Sequence, residues 1–232
     1  MEELKQKEYQ TKQLLNRAEY KALQAQVNPH FLYNTLDTMA SIAEIRNCPE
    51  VSHMSQSLAL IFRYSLNMKD PFSTVENEIA HLKNYIYVMD MRMHDNIQYT
   101  FDVDEMTLKS KLPRLSLQPI VENAINHGLR NKRGKKKIGI QIKREQMDLV
   151  ICIEDNGIGL DTSAINESLR KNELDFVEKG NSIGLHNINA RLKMLYGNQY
   201  GMHLESMLGE GTKVFMILPD RGEDSNNEEK DI

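Results

Sequence analysis

Apolar side chains recur at helical spacing through the first third of the chain. Leu23, Val27, Phe31, Leu32 and Leu36 form one strip, and the helical pattern runs on to about Arg46, where Asn47-Cys48-Pro49 breaks it. Within this helix Pro29 has no N–H to give the carbonyl of Ala25, so a kink is predicted just before His30. A second helix is predicted from Pro49 or Glu50, with Val51, Met54, Leu58, Ile61, Phe62 and Leu66 on its apolar side, covering the first as an antiparallel hairpin. Such a hairpin leaves apolar surface that it cannot bury alone, and a second copy would complete a four-helix bundle, so a homodimer is expected. Upstream, residues 1–22 are rich in Glu, Lys and Gln and contain neither Gly nor Pro, which favours helix. Leu4, Thr11, Ala18 and Ala25 recur every seven residues, but Lys7 and Lys21 interrupt the seam; a signalling coiled coil and a solvated helix both fit.

After a break at Lys69-Asp70-Pro71-Phe72, Ser73 and Glu76 have capping-box spacing, and Ile79, Leu82, Tyr85, Ile86 and Met89 line one face of a connecting helix over residues 74–93. The period then changes. Ile97, Tyr99, Phe101 and Val103 alternate as a half-buried strand, and Ile138, Ile140 and Ile142 do the same ahead of a strand over 149–153. Helices are predicted over 114–130 and up to Tyr196, with a strand pair at 200–207 and 213–218. Between Asp161 and Gly180 the chain turns polar and irregular, anchored only by Leu169, Leu174 and Phe176, which reads as a lid. The fold class is α+β.

Composition narrows the function classes. The 232 residues, 40% hydrophobic and 27% charged, suit one or two globular domains, and the formal charge of −4 gives no sign of a nucleic-acid partner. Cys48 and Cys152 lie far apart without metal-ligand spacing, so no disulfide framework is expected. No apolar run approaches the roughly 20 residues that cross a bilayer, so direct membrane insertion of these residues is not expected. The basic run Lys132-Arg133-Gly134-Lys135-Lys136-Lys137 reads as a solvated turn, with contact to polyphosphate or an acidic partner as the other reading.

Candidate chemistry is concentrated in five places. His30 and Asn34 stand four apart, so the amide can hold or orient the imidazole. On the helix over 114–130, Pro119, Glu122, Asn123, Asn126 and His127 fall mostly on one side, since offsets of three, four and seven share a helical face. Asp155-Asn156-Gly157-Ile158-Gly159 ends a strand with a carboxylate, which can accept from an amino group while the glycines let backbone pass close by. Ser182-Ile183-Gly184-Leu185 opens a helix whose free N–H groups favour phosphate, with Asn187 and Arg191 further along it. Gly209-Glu210-Gly211-Thr212 joins the last strand pair.

These blocks, in this order and with Asn28-Pro29-His30-Phe31-Leu32-Tyr33-Asn34 ahead of them, resemble the sensor histidine kinases of the LytS/YesM type. The nucleotide domain of that family belongs to the superfamily of DNA gyrase, Hsp90 and MutL. The resemblance covers roughly residues 20–219. It implies a helical hairpin dimerising into a four-helix bundle, followed by a two-layer α/β sandwich of the Bergerat (GHKL) type that binds ATP with Mg²⁺. It makes His30 the phosphoacceptor, Asn123 the Mg²⁺ ligand and Asp155 the adenine reader. Asn126 and His127 would lie near phosphate or ribose, with Gly157, Gly159, Ser182, Gly184, Leu185, Asn187, Gly211 and Thr212 about the nucleotide. The family also implies a longer membrane receptor, of which these residues would be a cytoplasmic part.

Departures from the family pattern are specific. Pro119 stands where many relatives have Asn or Glu, leaving Glu122 as a candidate organiser of metal-bound water, and Ser182 stands where Gly is usual, which stiffens that loop. Met93 replaces the aromatic of the family's Arg-Phe pair after Arg92. Phe31 follows His30 where larger kinase groups place an acid, and Asp37, two turns on, lies about 10 Å away, so Asn34 is the better orienter.

The expected organisation is a signalling segment over 1–22, a dimerisation and phosphoacceptor region with its connecting helix over 23–93, an ATP-binding domain over 94–219 and an acidic tail over 220–232. Neutral imidazole, with an ordinary pKa of about 6.5, is a competent nucleophile near neutrality. The expected reaction is phosphoryl transfer from ATP to His30, then to an aspartate on a response-regulator receiver domain. Two alternatives stay open: a GHKL-type ATPase clamp with no use for His30, and an ATP-binding scaffold without phosphotransfer.

Overall fold

The computed structural model describes residues 28–66, 70–93, 96–171 and 183–220. The predicted coiled-coil segment 1–22, Leu23 and Val27, the lid from 172 to 182 with Ser182, and the tail from 221 onward lie outside the described residues. The chain divides into two compact units, Met1–Asn67 and Met68–Ile232.

In the first unit, α1 (Pro29–Ile45) and α2 (Pro49–Leu66) pack as a hairpin. Asn28 is extended and its Oδ1 accepts the Phe31 N–H at 3.2 Å, so it N-caps α1. Pro29 therefore opens a helix, where its missing N–H would be unsatisfied anyway: at the step of the predicted kink, just before His30, Asn28 is extended and the helix begins, and the chain before it lies outside the described residues. Asn47, at φ 53°, takes the left-handed conformation that ends α1 and turns the chain into α2. The buried positions are mostly small: Leu36, Ala40 and Ala43 on α1, Ser52, Ser55, Ser57 and Ala59 on α2. Small side chains at the seam leave the larger apolar ones on its flanks. Val51 is exposed where burial was predicted, and Phe31, Met39, Ile42 and Ile45 are each more than half exposed.

The second unit begins with β1 (Phe72–Thr74) and α3 (Val75–Met93). α3, expected to connect the hairpin to the next domain, packs in the second unit, where Val75, Leu82, Ile86 and Met89 are buried in the core. The predicted capping residue also shifts by one, because Thr74 Oγ1, not Ser73, accepts the Asn77 N–H at 3.3 Å, while Ser73 pairs with Leu112 across the two-stranded sheet that β1 makes with β3 (Lys111–Pro113). The main sheet contains β2 (Ile97–Val103), β4 (Lys136–Glu145), β5 (Asp148–Asp155), β6 (Gly201–Met207) and β7 (Gly211–Pro219), in the order β2-β4-β5-β7-β6. Only β2 and β4 run parallel.

Alternation gives this sheet two unlike faces. Ile138, Ile140, Ile142, Leu149, Ile151 and Ile153 are fully buried, and Lys137, Gln141, Lys143 and Glu154 on the other face are exposed. The buried face joins one core with α3, α4 (Gln118–Asn123), its π-helical continuation Ala124–Leu129, and α6 (Ile183–Tyr196). The result is a two-layer α/β sandwich.

Three local expectations are revised. The predicted helix over 114–130 starts at Gln118, because Leu115 adopts φ 59° and residues 114–117 form a non-helical entry. The predicted irregular lid contains a helix, α5 (Ser163–Lys171), whose terminal carbonyls at Leu169 and Arg170 accept from Lys193 Nζ at 2.6 and 2.8 Å. Asp220, assigned to the tail, pairs with Arg144 and its N–H donates to Met147 O at 2.8 Å, so it belongs to the ordered unit. Among the described residues no helix is long and apolar enough to cross a membrane.

Candidate functional site

The first turn of α1 exposes His30, and one turn further the Asn34 amide Nδ2 lies 3.2 Å from His30 Nδ1. The hydroxyls of Thr35 and Thr38 donate back to the carbonyls of Phe31 and Asn34, each at 2.7 Å, which occupies them along the helix. Asp37 turns toward α2 and pairs with Arg63 at 4.0 Å, and Arg63 lies over the Tyr33 ring at 5.4 Å. Asn34 is thus the polar side chain in contact with the imidazole.

In the second unit a cavity of about 340 Å³ lies between the sheet and the helices. Of the predicted residues, Asn123, His127, Asp155, Gly159, Leu185 and Thr212 line it. Its apolar walls come from Ile120, Ala124, Ile153, Ile158, Leu160, Ile165, Leu204 and Val214, a lining suited to a flat ring with polar groups at particular points. Asn123 Nδ2 is buried and without a hydrogen-bond partner among the described residues. A buried amide left open at a cavity wall is a group waiting for a ligand.

Asp155 ends β5, and its side chain enters the cavity floor with 5% of the residue exposed. Burial pushes its carboxyl up to about 6, against the pull of the backbone N–H groups of Gly157 and Thr212. The Gly157 N–H donates to Oδ1 at 2.7 Å. Crowding explains the glycines: a Cβ on Gly128 would stand 2.6 Å from Asp155 Oδ1, and one on Gly157 would strike Gly128 O and the same carboxylate oxygen. Gly211, at φ 131°, is packed on the Asp155 carbonyl and admits no side chain.

Other predicted residues fall elsewhere. Gly157 and Gly211 back the floor without lining the cavity, and Gly184 packs near Pro119. Asn187 is exposed on α6, and Asn126 is half-buried; neither lines the cavity. The π segment explains Asn126, because a π turn takes more than 3.6 residues and keeps the fourth residue after Asn123, His127, in line rather than the third. Glu122 does not line the cavity either; it is exposed, and the Tyr85 phenol of α3 is pushed up to about 12 by burial and, less, by the Glu122 charge. Sequence reasoning passed over Gly128, whose signal was a glycine directly after His127 within a helix. It also passed over Glu78, a polar residue on the apolar side of α3, beside Ile79 and Leu82.

Two family models match: one described as histidine kinase over residues 18–97, and one described as histidine kinase-, DNA gyrase B-, and HSP90-like ATPase over residues 111–222. The sensor histidine kinase YesM of Bacillus subtilis is 32% identical over 221 residues, covering 95% of this chain and 37% of its own length. The sensor histidine kinase YpdA of Escherichia coli is 34% identical over 214 residues, 91% of this chain and 36% of the relative. The sensor protein LytS of Oceanobacillus iheyensis is 33% identical over 215 residues, 90% of this chain and 36% of the relative. The chain belongs to the sensor histidine kinase family, with its histidine region followed by an ATPase domain of the gyrase B and HSP90 kind. It spans a little over a third of the length of these relatives.

The raised Asp155 carboxyl has a consequence for stability. Its folded pKa of about 6 lies above the ordinary 3.8, so the folded state holds the proton more tightly, and stability is lost as pH rises between those values. Asp155→Asn cannot ionise. The nucleotide-free variant is expected to match wild type near pH 4 and to exceed its stability above pH 6, as measured by chemical denaturation across pH. Equal pH dependence in the two proteins would contradict this placement of the carboxylate.

Proposed function

We propose that the chain is the ATP-dependent autokinase part of a two-component receptor, transferring the γ-phosphoryl group of ATP to His30 and from there to an aspartate on a response-regulator receiver domain. The observation that carries this reading is the exposed His30 imidazole with Asn34 at its Nδ1. A half-turn of the Asn34 amide presents Oδ1 to that nitrogen. Nδ1 then carries the proton and donates, and the Nε2 lone pair is left outward, ready for in-line attack on phosphorus. As the Nε2–P bond forms, the bond to the bridging oxygen breaks and ADP leaves, while Asn34 Oδ1 supports the positive charge that develops on the ring. We leave the acceptor of the Nδ1 proton unassigned.

For the nucleotide, Asp155 accepts from the adenine amino group at the cavity floor, with Thr212 beside it. The apolar walls hold the ring, and His127 and Leu185 lie along the rest of the cavity. Asn123 Oδ1 would serve as a single oxygen ligand for Mg²⁺, which would neutralise charge on the phosphates, and the unpartnered Nδ2–H would donate to a phosphate or water oxygen. Gly184, in the first turn of α6, would offer an N–H donor to phosphate. Asp155 is the only carboxylate among the described residues lining the cavity, and Glu122 is exposed outside that lining. A hydrolytic clamp needs a carboxylate placed to activate water, so the arrangement favours the kinase over the ATPase alternative.

The exposed Met39, Ile42 and Ile45, at spacings of three along α1, support a homodimer formed through the hairpin. The greater length of the relatives supports a parent protein that is an integral membrane receptor, with these residues on its cytoplasmic side.

Incubation with Mg²⁺ and γ-labelled ATP is expected to give acid-labile, base-stable label on wild type and none on His30→Gln with ATP affinity unchanged; label persisting in the variant would sink the assignment. Asn34→Ala is expected to lower the labelling rate by roughly 10²-fold at saturating ATP while leaving the KM for ATP in place. Ile42→Glu puts a charge in the dimer face, and sedimentation should then show monomer; a dimer that survives it would place the interface elsewhere.

A further inference from the structure

Helix α4 carries Asn123 but has no local means of fixing its own start. With its π-helical continuation it runs only from Gln118 to Leu129, its N-cap residue Leu117 offers no side-chain hydrogen bond, and helices this short are marginal in water. The segment leading into it also contains Leu115 at φ 59°, a left-handed conformation that an L residue with a bulky side chain holds only when its surroundings impose it.

The missing cap comes from α3. Glu78 is fully buried, and its Oε1 accepts the Leu115 N–H at 2.7 Å while Oε2 accepts the Ser116 and Leu117 N–H groups at 2.9 and 3.2 Å. One turn along α3, His81 Nε2 donates to Gln118 Oε1 at 2.6 Å. Ser116 is held from the other side, its hydroxyl donating to Pro113 O at 2.5 Å and accepting from Arg191 Nη2 of α6 at 3.1 Å. Each residue of an α-helix turns by about 100°, so a slip of one residue at this entry would swing the Asn123 amide out of the cavity wall.

We infer that Glu78, supported by His81, is a positioning residue for Asn123: it caps α4 from a remote helix and so sets the placement of the amide at the phosphate end of the cavity. This rests on the reading of the cavity as a Mg²⁺·ATP site. It gives α3 more than a connecting role, because a displacement of α3 would carry the cap with it and move Asn123 without disturbing Asp155, which lies on β5.

The test is calorimetric titration of the full chain, wild type and Glu78→Gln, with adenosine and with Mg²⁺·ATP, alongside amide hydrogen exchange over residues 114–123. Glutamine can keep the Oε2 acceptor but turns an NH₂ group toward the Leu115 N–H. The expected result is Mg²⁺·ATP affinity weakened about tenfold, as for other outer-shell partners of a metal ligand, with adenosine affinity unchanged and faster exchange at the 115–117 amides. Mg²⁺·ATP affinity that stays at the wild-type value, or equal losses for the two ligands, would overturn the inference. Wild type that binds neither ligand would refute the nucleotide reading beneath it. If Glu78→Gln does not fold, Glu78→Asp keeps the charge, draws the carboxylate back by one methylene and is expected to show the same contrast in milder form.

Discussion

The Asp155 carboxylate occupies a place where three backbone segments come too close to admit side chains. Gly128 ends the π segment's contact with it, Gly157 turns the chain beneath it, and Gly211 passes over its carbonyl. The Ile158 N–H donates to Gly128 O at 3.0 Å and the Gly209 N–H to Ile158 O at 2.7 Å, which laces these segments together. A carboxylate in such a socket is costly to ionise, which is why its pKa rises. Ile153 and Val214, paired across β5 and β7, line the cavity beside it.

The other end of the cavity is built differently. Asn123 is half-buried, with a buried Nδ2 that has no partner among the described residues, and it lies on a helix whose entry is capped from 37 to 39 residues away in sequence. The Asp155 end of the cavity is therefore fixed by local packing, and the Asn123 end only as far as α3 holds it. His30 belongs to the first unit, on a hairpin with a seam of mostly small residues and exposed apolar flanks.

Much of this was legible along the chain. Pro49 marks the start of α2, the alternation at Ile97, Tyr99, Phe101 and Val103 matches β2 residue for residue, and Asp155 with its glycines ends β5 as expected. Local signals served where local physics decides. They failed where a distant residue decides: nothing near Leu115 announces a left-handed turn, because what holds it is Glu78 on another helix. Helical periodicity placed Asn126 and His127 together, and the π turn that parts them is set by tertiary packing, not by composition. Helical spacing in α2 pointed to the large apolar residues, whereas Ser52, Ser55 and Ala59 are the side chains buried there.

The most direct check of a site with two separable ends is to titrate adenosine and Mg²⁺·ATP into Asp155→Ala and Asn123→Ala. Asp155→Ala is predicted to lose affinity for both ligands by about tenfold or more, and Asn123→Ala to keep adenosine while losing the gain that Mg²⁺ and the phosphates bring. Adenosine binding that survives Asp155→Ala, or falls equally in Asn123→Ala, would contradict the account.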